Sequence, residues 1–385
     1  MPQFQSIPEL DGTRSQSAVV INLSHKVVIV CGCSYAGNII QAVSTMIHYL
    51  VPDNFFLMRG SSCMSTSGDV AIFLGRAGTG KTTLAADSQT IFIGDSLHAW
   101  FPKGLISYER GMYPNVLNTI PDDSPEIHAC IQKFGTVLEN VSIDMISRET
   151  RLSDSDLTLN PRACFHKTCL SNISSQEIFP HPKHLFLVTC DPLGVLPPII
   201  RISPEQAILS FLSSYSAVFI QTEDRQVSLE QNFCFGALSP VYPPHIYSEK
   251  LRKLIVQHDI ACWVINTGWS GNHFSESSRM PIKYSRAAVR AVMSGALDQM
   301  EFSVDPVFRY RIPNACPGIP REILNPRKQA KNEADYELRA NRLVAEFIKD
   351  FSKYEDQIPE DIKGLIISLL PGGDQLDYQR IGFSM

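Results

Sequence analysis

Gly75-Arg-Ala-Gly-Thr-Gly80-Lys81-Thr82-Thr83 has the residue types and spacing of a loop built to hold phosphate. It matches G-x-x-x-x-G-K-[ST] in full, and each fixed position has a chemical task. Gly75, Gly78 and Gly80, with Thr79 between the last two, let the backbone turn and bring its N–H groups close to phosphate oxygens. Lys81 can reach β- and γ-phosphates, and the Thr82 hydroxyl is a ligand for Mg²⁺. A helix over Thr82–Ala86 adds the partial positive charge of its N-terminus. The flanking text supplies the scaffold. Asp69–Leu74 is a short apolar, β-branched run that predicts a buried strand leading into the loop. Thr90–Asp95 predicts a second buried strand ending in a carboxylate, so that Asp95 holds the same metal directly or through water. A chance glycine turn is the competing explanation, and the strand–loop–helix–strand context argues against it.

Other elements must surround this unit. Lys26–Cys31 reads as a strand, Asn38–Leu50 as an amphipathic helix closed by Pro52, and Phe55–Met58 as a short strand. Glu126–Phe134 predicts a helix, and the alternation over Leu138–Ile146 predicts a strand. Leu185–Cys190 is a third buried strand, ending at Asp191. Pro204–Tyr215 is a helix capped by Ser203. Helices over Tyr247–His258, Tyr284–Met293 and Glu333–Tyr354, and a strand over Ile260–Asn266, complete an alternating α/β pattern. His181 and His184 flank a Pro-Lys pair, which suits solvated loop histidines better than a metal pair.

The chain has 385 residues, 44% hydrophobic and 19% charged, enough for a sizeable core. Its net charge of −5 gives no reason to expect nucleic acid or an anionic membrane as partner. Ten cysteines occur without a C-x-x-C pair, the pattern of free thiols in a reducing compartment. The N-terminus lacks a basic stretch followed by an apolar one, so no secretory signal is predicted. No apolar run is long enough to span a bilayer. A cytoplasmic protein is expected; the sequence names no protein partner.

Beyond the phosphate loop, further blocks stand in a telling order. They are YAG at 35–37, GRAGTGKTTLAAD, IGDSLHAW, SPEI at 124–127, VTCDPLGVLPPIIR, TED at 222–224, FCFGA at 233–237, VINTGWSG, RMPIKYSR and ILNPR. This series resembles the ATP-dependent phosphoenolpyruvate carboxykinase family over about residues 20–355. The resemblance implies an α/β nucleotide-binding domain with a P-loop over 59–356. It also implies the remnant of an N-terminal domain over 21–58; the polar, Ser- and Gln-rich residues 1–20 read as a loose lead-in, and 357–385 as a C-terminal tail. It implies the family's reaction: decarboxylation of oxaloacetate to an enolate, which ATP then phosphorylates. Mg²⁺ on the nucleotide and a second transition metal, usually Mn²⁺, are its cofactors.

By position, the resemblance implies that Gly75, Gly78, Thr79, Gly80, Lys81, Thr82 and Thr83 hold the phosphates, with Thr82 and Asp95 on Mg²⁺. Arg279, Met280 and Ser285 fall where the family holds adenine and ribose. Lys81, Asp95 and Arg201 are the catalytic set, Arg201 standing where an arginine bridges phosphate and substrate. Tyr35, Arg59 and Arg201 line the site of a small carboxylic acid, and Glu109 is retained. The substrate half departs from the family pattern. The paired lysines become Ile40 and Gln41, the metal-binding His becomes Arg59, and the second Asp becomes Ser96. Asn115 and Ser124 replace a lysine and an acid. These changes imply that the Mn²⁺ site is lost, and that the reaction is strongly reduced or turned to another β-keto or β-hydroxy acid. Two other readings stay open: a catalytically inactive nucleotide-binding relative, and a small-molecule kinase using Lys81 and Asp95.

Overall fold

The computed structural model describes residues 3–213, 215–216, 218–219, 227–228, 243–352 and 364. The TED and FCFGA blocks and nearly all of the expected 357–385 tail lie outside the described residues.

Ahead of the main body, β1 (Ala18–Asn22) and β2 (Val27–Cys31) form an antiparallel hairpin beside helix α1 (Gly37–Leu50). The main body is a mixed sheet of ten strands. In chain order they are β3 (Phe56–Met64), β4 (Val70–Gly75), β5 (Ile91–Phe101) and β6 (Gly104–Ser107), then, after an intervening layer, β9 (Ile178–Phe179), β10 (Pro182–Thr189), β11 (Ile199–Ile202), β12 (Ala261–Asn266), β13 (Phe302–Val304) and β14 (Arg311–Pro313). Across the sheet the order is β9-β6-β5-β3-β4-β10-β12-β11-β14-β13. The three central strands β4, β10 and β12 are parallel, and the pairs around them are antiparallel. Their near-continuous apolar text is what burial on both faces demands.

One face carries α4 (Pro204–Ser213), α5 (Pro244–Gln257) and α7 (Glu333–Ser352), which close over Ile72, Leu74, Leu187 and Val264. The other face carries α2 (Lys81–Ala85), α3 (Pro125–Ile131) and α6 (Ile282–Met293) over Phe73, Phe186, Val188 and Trp263. Ser203 opens α4 with a reciprocal cap. The Gln206 N–H donates to Ser203 Oγ at 3.2 Å, and the Ser203 N–H donates to Gln206 Oε1 at 3.0 Å. Between β6 and β9, short strands β7 (Val137–Glu139) and β8 (Arg162–His166) form a small antiparallel layer with Gly111–Met112.

Four expectations are corrected. The strand read at Phe55–Met58 runs on to Met64, and the division expected at 58/59 falls inside it. Its polar half, Arg59-Gly-Ser-Ser, is lodged between β4 and β5, where Ser61 and Ser62 are fully buried and find partners. Asp95 lies within β5 rather than at its end, because that strand continues to Phe101. The single strand expected over Leu138–Ile146 is broken. Asn140 takes φ +55°, and the Asp144 carboxylate accepts the Ile146 and Ser147 N–H groups in a tight turn. The histidine pair also changes character. His184 lies in β10, while His181 accepts the Trp100 indole N–H at 3.0 Å and stacks on His258.

Phe186 is fully buried and stacks on Phe73 at 4.9 Å between ring centres. Phe186→Ala should cost about 3–5 kcal/mol, the usual range for emptying an aromatic core site. Urea denaturation measures it.

Candidate functional site

The parallel strands β4, β10 and β12 end side by side, and the chain turns there into three loops. After β4, Gly75 is packed so close to β10 that a Cβ would stand 2.3 Å from the Val188 carbonyl oxygen. Gly78 and Gly80 adopt φ +82° and +96°, a backbone that glycine enters without penalty. Thr79 is buried, and its hydroxyl donates to Arg76 O at 2.8 Å. Lys81 Nζ spans the loop to the same carbonyl at 2.6 Å. From β12, Thr267 donates to Thr79 O at 2.9 Å and accepts from Arg279 Nη2 at 2.9 Å, while Arg279 Nε donates to Thr267 O at 2.7 Å. The Met280 N–H donates to Gly268 O, and Ser285 is buried on α6. The expected phosphate-loop and base-side residues thus belong to one connected structure. Asp87, just past α2, receives Arg290 of α6 through two hydrogen bonds of 2.8 and 3.0 Å and completes that connection.

Asp95 is the anionic centre. Ser61 of β3 donates to its Oδ1, and Thr82 Oγ1 lies 3.1 and 3.2 Å from its two oxygens. Around it stand Lys81, Arg59, Arg162 and Glu109. Burial lowers the Lys81 ammonium to about 8, with the repulsion of Arg59 and Arg162 adding to this and the attraction of Asp95 opposing it. Burial raises the Glu109 carboxyl to about 7, and the charge of Asp95 adds to that. Arg59, the Ser96 hydroxyl and the Leu97 N–H oppose it. Glu109 is therefore an acid able to give or take a proton near neutrality. His98, fully buried, pairs with Ser62 Oγ at 2.7 Å and is lowered to about 4, first by desolvation.

Tyr35 joins this site from its rim. Its hydroxyl accepts from Asn160 Nδ2 at 3.2 Å. Asn160 Oδ1 in turn accepts from Arg162 Nε at 2.8 Å, and Arg162 Nη1 donates to Tyr113 O. Asn115 lies opposite Arg162 and donates to Leu159 O and Asn160 Oδ1.

Arg201 stands apart from this cluster along the sheet. Asp95, Ser61, Phe73, Phe186, Trp263 and Arg201 stand in one row across the sheet. Five strand spacings separate Asp95 from Arg201, about 24 Å at the usual spacing. The Arg201 guanidinium covers Trp263 and Phe302 instead, 5.4 and 6.0 Å from the ring centres. The arginines beside Lys81 are Arg59 and Arg162. The sequence reading missed Arg162, Ser61 and His98. The only local hint for Arg162 was its place in a polar Asn-Pro-Arg turn.

The donors at the loop suit one metal and not another. Thr82 and Asp95 offer a hydroxyl and a carboxylate side by side, a donor set suited to Mg²⁺. Gln41, Arg59 and Ser96 do not make a transition-metal set. Gln41 is exposed on α1, and Arg59 Nη2, 3.5 Å from Ser96 Oγ, has no lone pair to give. Among the described residues no three His, Cys, Asp or Glu side chains group as metal ligands, and no helix is long and apolar enough to cross a membrane.

Strand, glycine loop and helix, with a hydroxyl and a carboxylate at the loop's mouth, define a P-loop protein of the α/β class. Comparison with known proteins narrows this. The family model for phosphoenolpyruvate carboxykinase matches residues 1–322. The chain is 41% identical over 366 residues to the phosphoenolpyruvate carboxykinase (ATP) of Geotalea uraniireducens (strain Rf4), covering 94% of this chain and 69% of that protein. It is 41% identical over 369 residues to the enzyme of that name from Geobacter sp. (strain M21), and 38% over 371 residues to that of Ruegeria sp. (strain TM1040), covering 95% of this chain and 70% of the relative in each case. The chain belongs to the phosphoenolpyruvate carboxykinase family.

His98 should leave a mark on stability. Its folded-state value lies below the ordinary 6.5, so its contribution is full above pH 6.5 and is lost as pH falls toward about 4. His98→Gln cannot titrate there. Urea unfolding at several pH values should show a smaller loss of stability between pH 6.5 and 5 for the variant than for the parent chain. Equal losses would mean His98 is not held neutral.

Proposed function

We propose that this chain binds Mg·ATP through Gly75–Thr83 and carries the family's ATP-dependent carboxykinase chemistry in a strongly reduced form, or on a β-keto or β-hydroxy acid other than oxaloacetate. The observation that carries the first half is the complete phosphate loop with Thr82 against Asp95. In this reading Lys81 neutralises the β- and γ-phosphates, and Arg279 with Ser285 flanks an adenosine. Thr82 and Asp95 are the residues that would hold Mg²⁺, which would supply positive charge to offset that of the phosphates.

The second half rests on the substrate side. Decarboxylation leaves an enolate whose charge must be stabilised. Arg59 and Arg162 are the cations available for that task, since Gln41, Arg59 and Ser96 do not suit a second metal. Asn115 cannot bring a full positive charge to a departing carboxylate. Glu109, raised to about 7, can give its proton to the enolate carbon, which leaves a Glu109 carboxylate and the decarboxylated keto acid (pyruvate, from oxaloacetate) in place of the phosphorylated enol. Tyr35, through Asn160 and Arg162, and Arg59 would position the acid. A second reading, a nucleotide-binding relative without carboxy-lyase activity, is favoured by Arg59 standing where the family pattern has a metal-binding histidine.

Lys81→Ala should abolish tight Mg·ATP binding in calorimetry; equal affinity would exclude the loop as the site. Because Lys81 sits near 8 and a polyanion raises it, binding at pH 8 should take up protons. Titrations in buffers of different ionisation enthalpy read that uptake, and affinity should fall above pH 8. For turnover, removing one preorganised electrostatic contact commonly costs on the order of a hundredfold. Conversion of oxaloacetate and ATP to phosphoenolpyruvate should therefore stay below about 1 per second, and Mn²⁺ added over saturating Mg²⁺ should not raise it. A faster, Mn²⁺-dependent rate would mean the substrate half is intact.

A further inference from the structure

Cys130 and Cys169 form a pair outside the cleft chemistry. Cys130 is fully buried at the end of α3. Cys169 is half-buried in the single turn Lys167–Cys169 that directly follows β8. It packs against the buried cluster that contains Cys130, and its thiol is one of the groups that raise the Cys130 thiol. Lys133 fastens the two backbones together: its N–H donates to Cys130 O at 3.1 Å and its Nζ donates to Cys169 O at 2.6 Å. The Thr136 hydroxyl adds a bond of 2.8 Å to Cys130 O.

The segment between the two cysteines matters to the cleft. It includes Asn160 and Arg162. Just before Cys169, Lys167 Nζ donates to the Ile93 carbonyl, two residues before Asp95 in β5. A covalent link from Cys130 to Cys169 would fix this wall to α3.

We propose that Cys130 and Cys169 are a reversible dithiol–disulfide pair that tethers α3 to the segment carrying Arg162 and Lys167. The oxidant is a low-molecular-weight disulfide, R–S–S–R. Cys169, the accessible member, loses its proton and attacks one sulfur. That S–S bond breaks, one R–S⁻ leaves and takes up a proton, and a mixed disulfide remains on Cys169. Cys130 then loses its proton and attacks the Cys169 sulfur, expelling the second R–S⁻, which is protonated in turn. Two cysteine thiols are oxidised by two electrons, and one small disulfide is reduced to two thiols. Burial pushes the Cys130 thiol up to about 11 and the nearby Lys133 ammonium opposes this, which suits Cys130 to resolving rather than to first attack.

The test incubates the full chain with oxidised glutathione, alkylates it and maps its peptides by mass spectrometry, with and without dithiothreitol. The expected result is a Cys130–Cys169 linked peptide that disappears on reduction, together with slower amide hydrogen exchange across residues 160–169 in the oxidised chain. Cys169→Ser should leave Cys130 unmodified. Cys130→Ser and Cys130→Ala should each stop at a stable glutathione adduct on Cys169, so a folding failure in one leaves the other to decide. Glutathione accumulating on Cys169 of the parent chain, linkage of either cysteine elsewhere first, no reaction at either thiol, or unchanged exchange would each overturn the proposal.

Discussion

The carboxylate of Asp95 sets the electrostatics of the cleft. Three cationic side chains surround a half-buried space, where their mutual repulsion is poorly screened. Asp95 is the anion that opposes this repulsion at Lys81. Its own position is fixed from two directions. Ser61 holds it from the neighbouring strand, and Thr82 holds it from the first turn after the loop. The long polar run of β3 through the middle of the sheet therefore has a clear role: it delivers the hydroxyl that orients the anion.

The sheet acts as a ruler for everything else. Its three parallel strands bring the glycine loop, the Asp191 turn and the Asn266–Thr267 turn to one edge. Asp191 is buried and accepts N–H groups from Leu193, Val195 and Leu196 and the Tyr215 hydroxyl, so that turn is rigid without contributing a reactive group. Strands added beyond β12 carry their residues away from the loop in fixed steps. Arg201 falls on the far part of that ruler and becomes a lid on aromatic rings.

Legibility in the sequence followed the range of the interactions. The loop, its helix and the flanking strands are local, and the text from Gly68 to Asp95 specified them. Family membership was legible for a related reason: several short blocks keep their order along the chain. The position of Arg201 was not legible because strand order is a long-range property. Nothing near Gly194–Arg201 says that β11 pairs with β12 on the side away from β4. Arg162 was missed for the converse reason, since an irregular polar stretch hides a residue that folding returns to the cleft. Ser61, Ser62 and His98 were invisible because their burial depends on partners more than thirty residues away.

The bidentate Asp87–Arg290 pair has a consequence for how a nucleotide would be gripped. It joins the end of the phosphate-loop helix to the helix that follows Arg279 and Met280. A mononucleotide is in effect a two-headed ligand, with a charged head and an aromatic one on a short ribose tether. Once one head has docked, the second meets its pocket at an effective concentration set by how stiffly the two pockets are joined. A two-point guanidinium–carboxylate link on a buried aspartate is a stiff joint. The avidity of the proposed site is thus stored in a contact that the ligand itself need not touch.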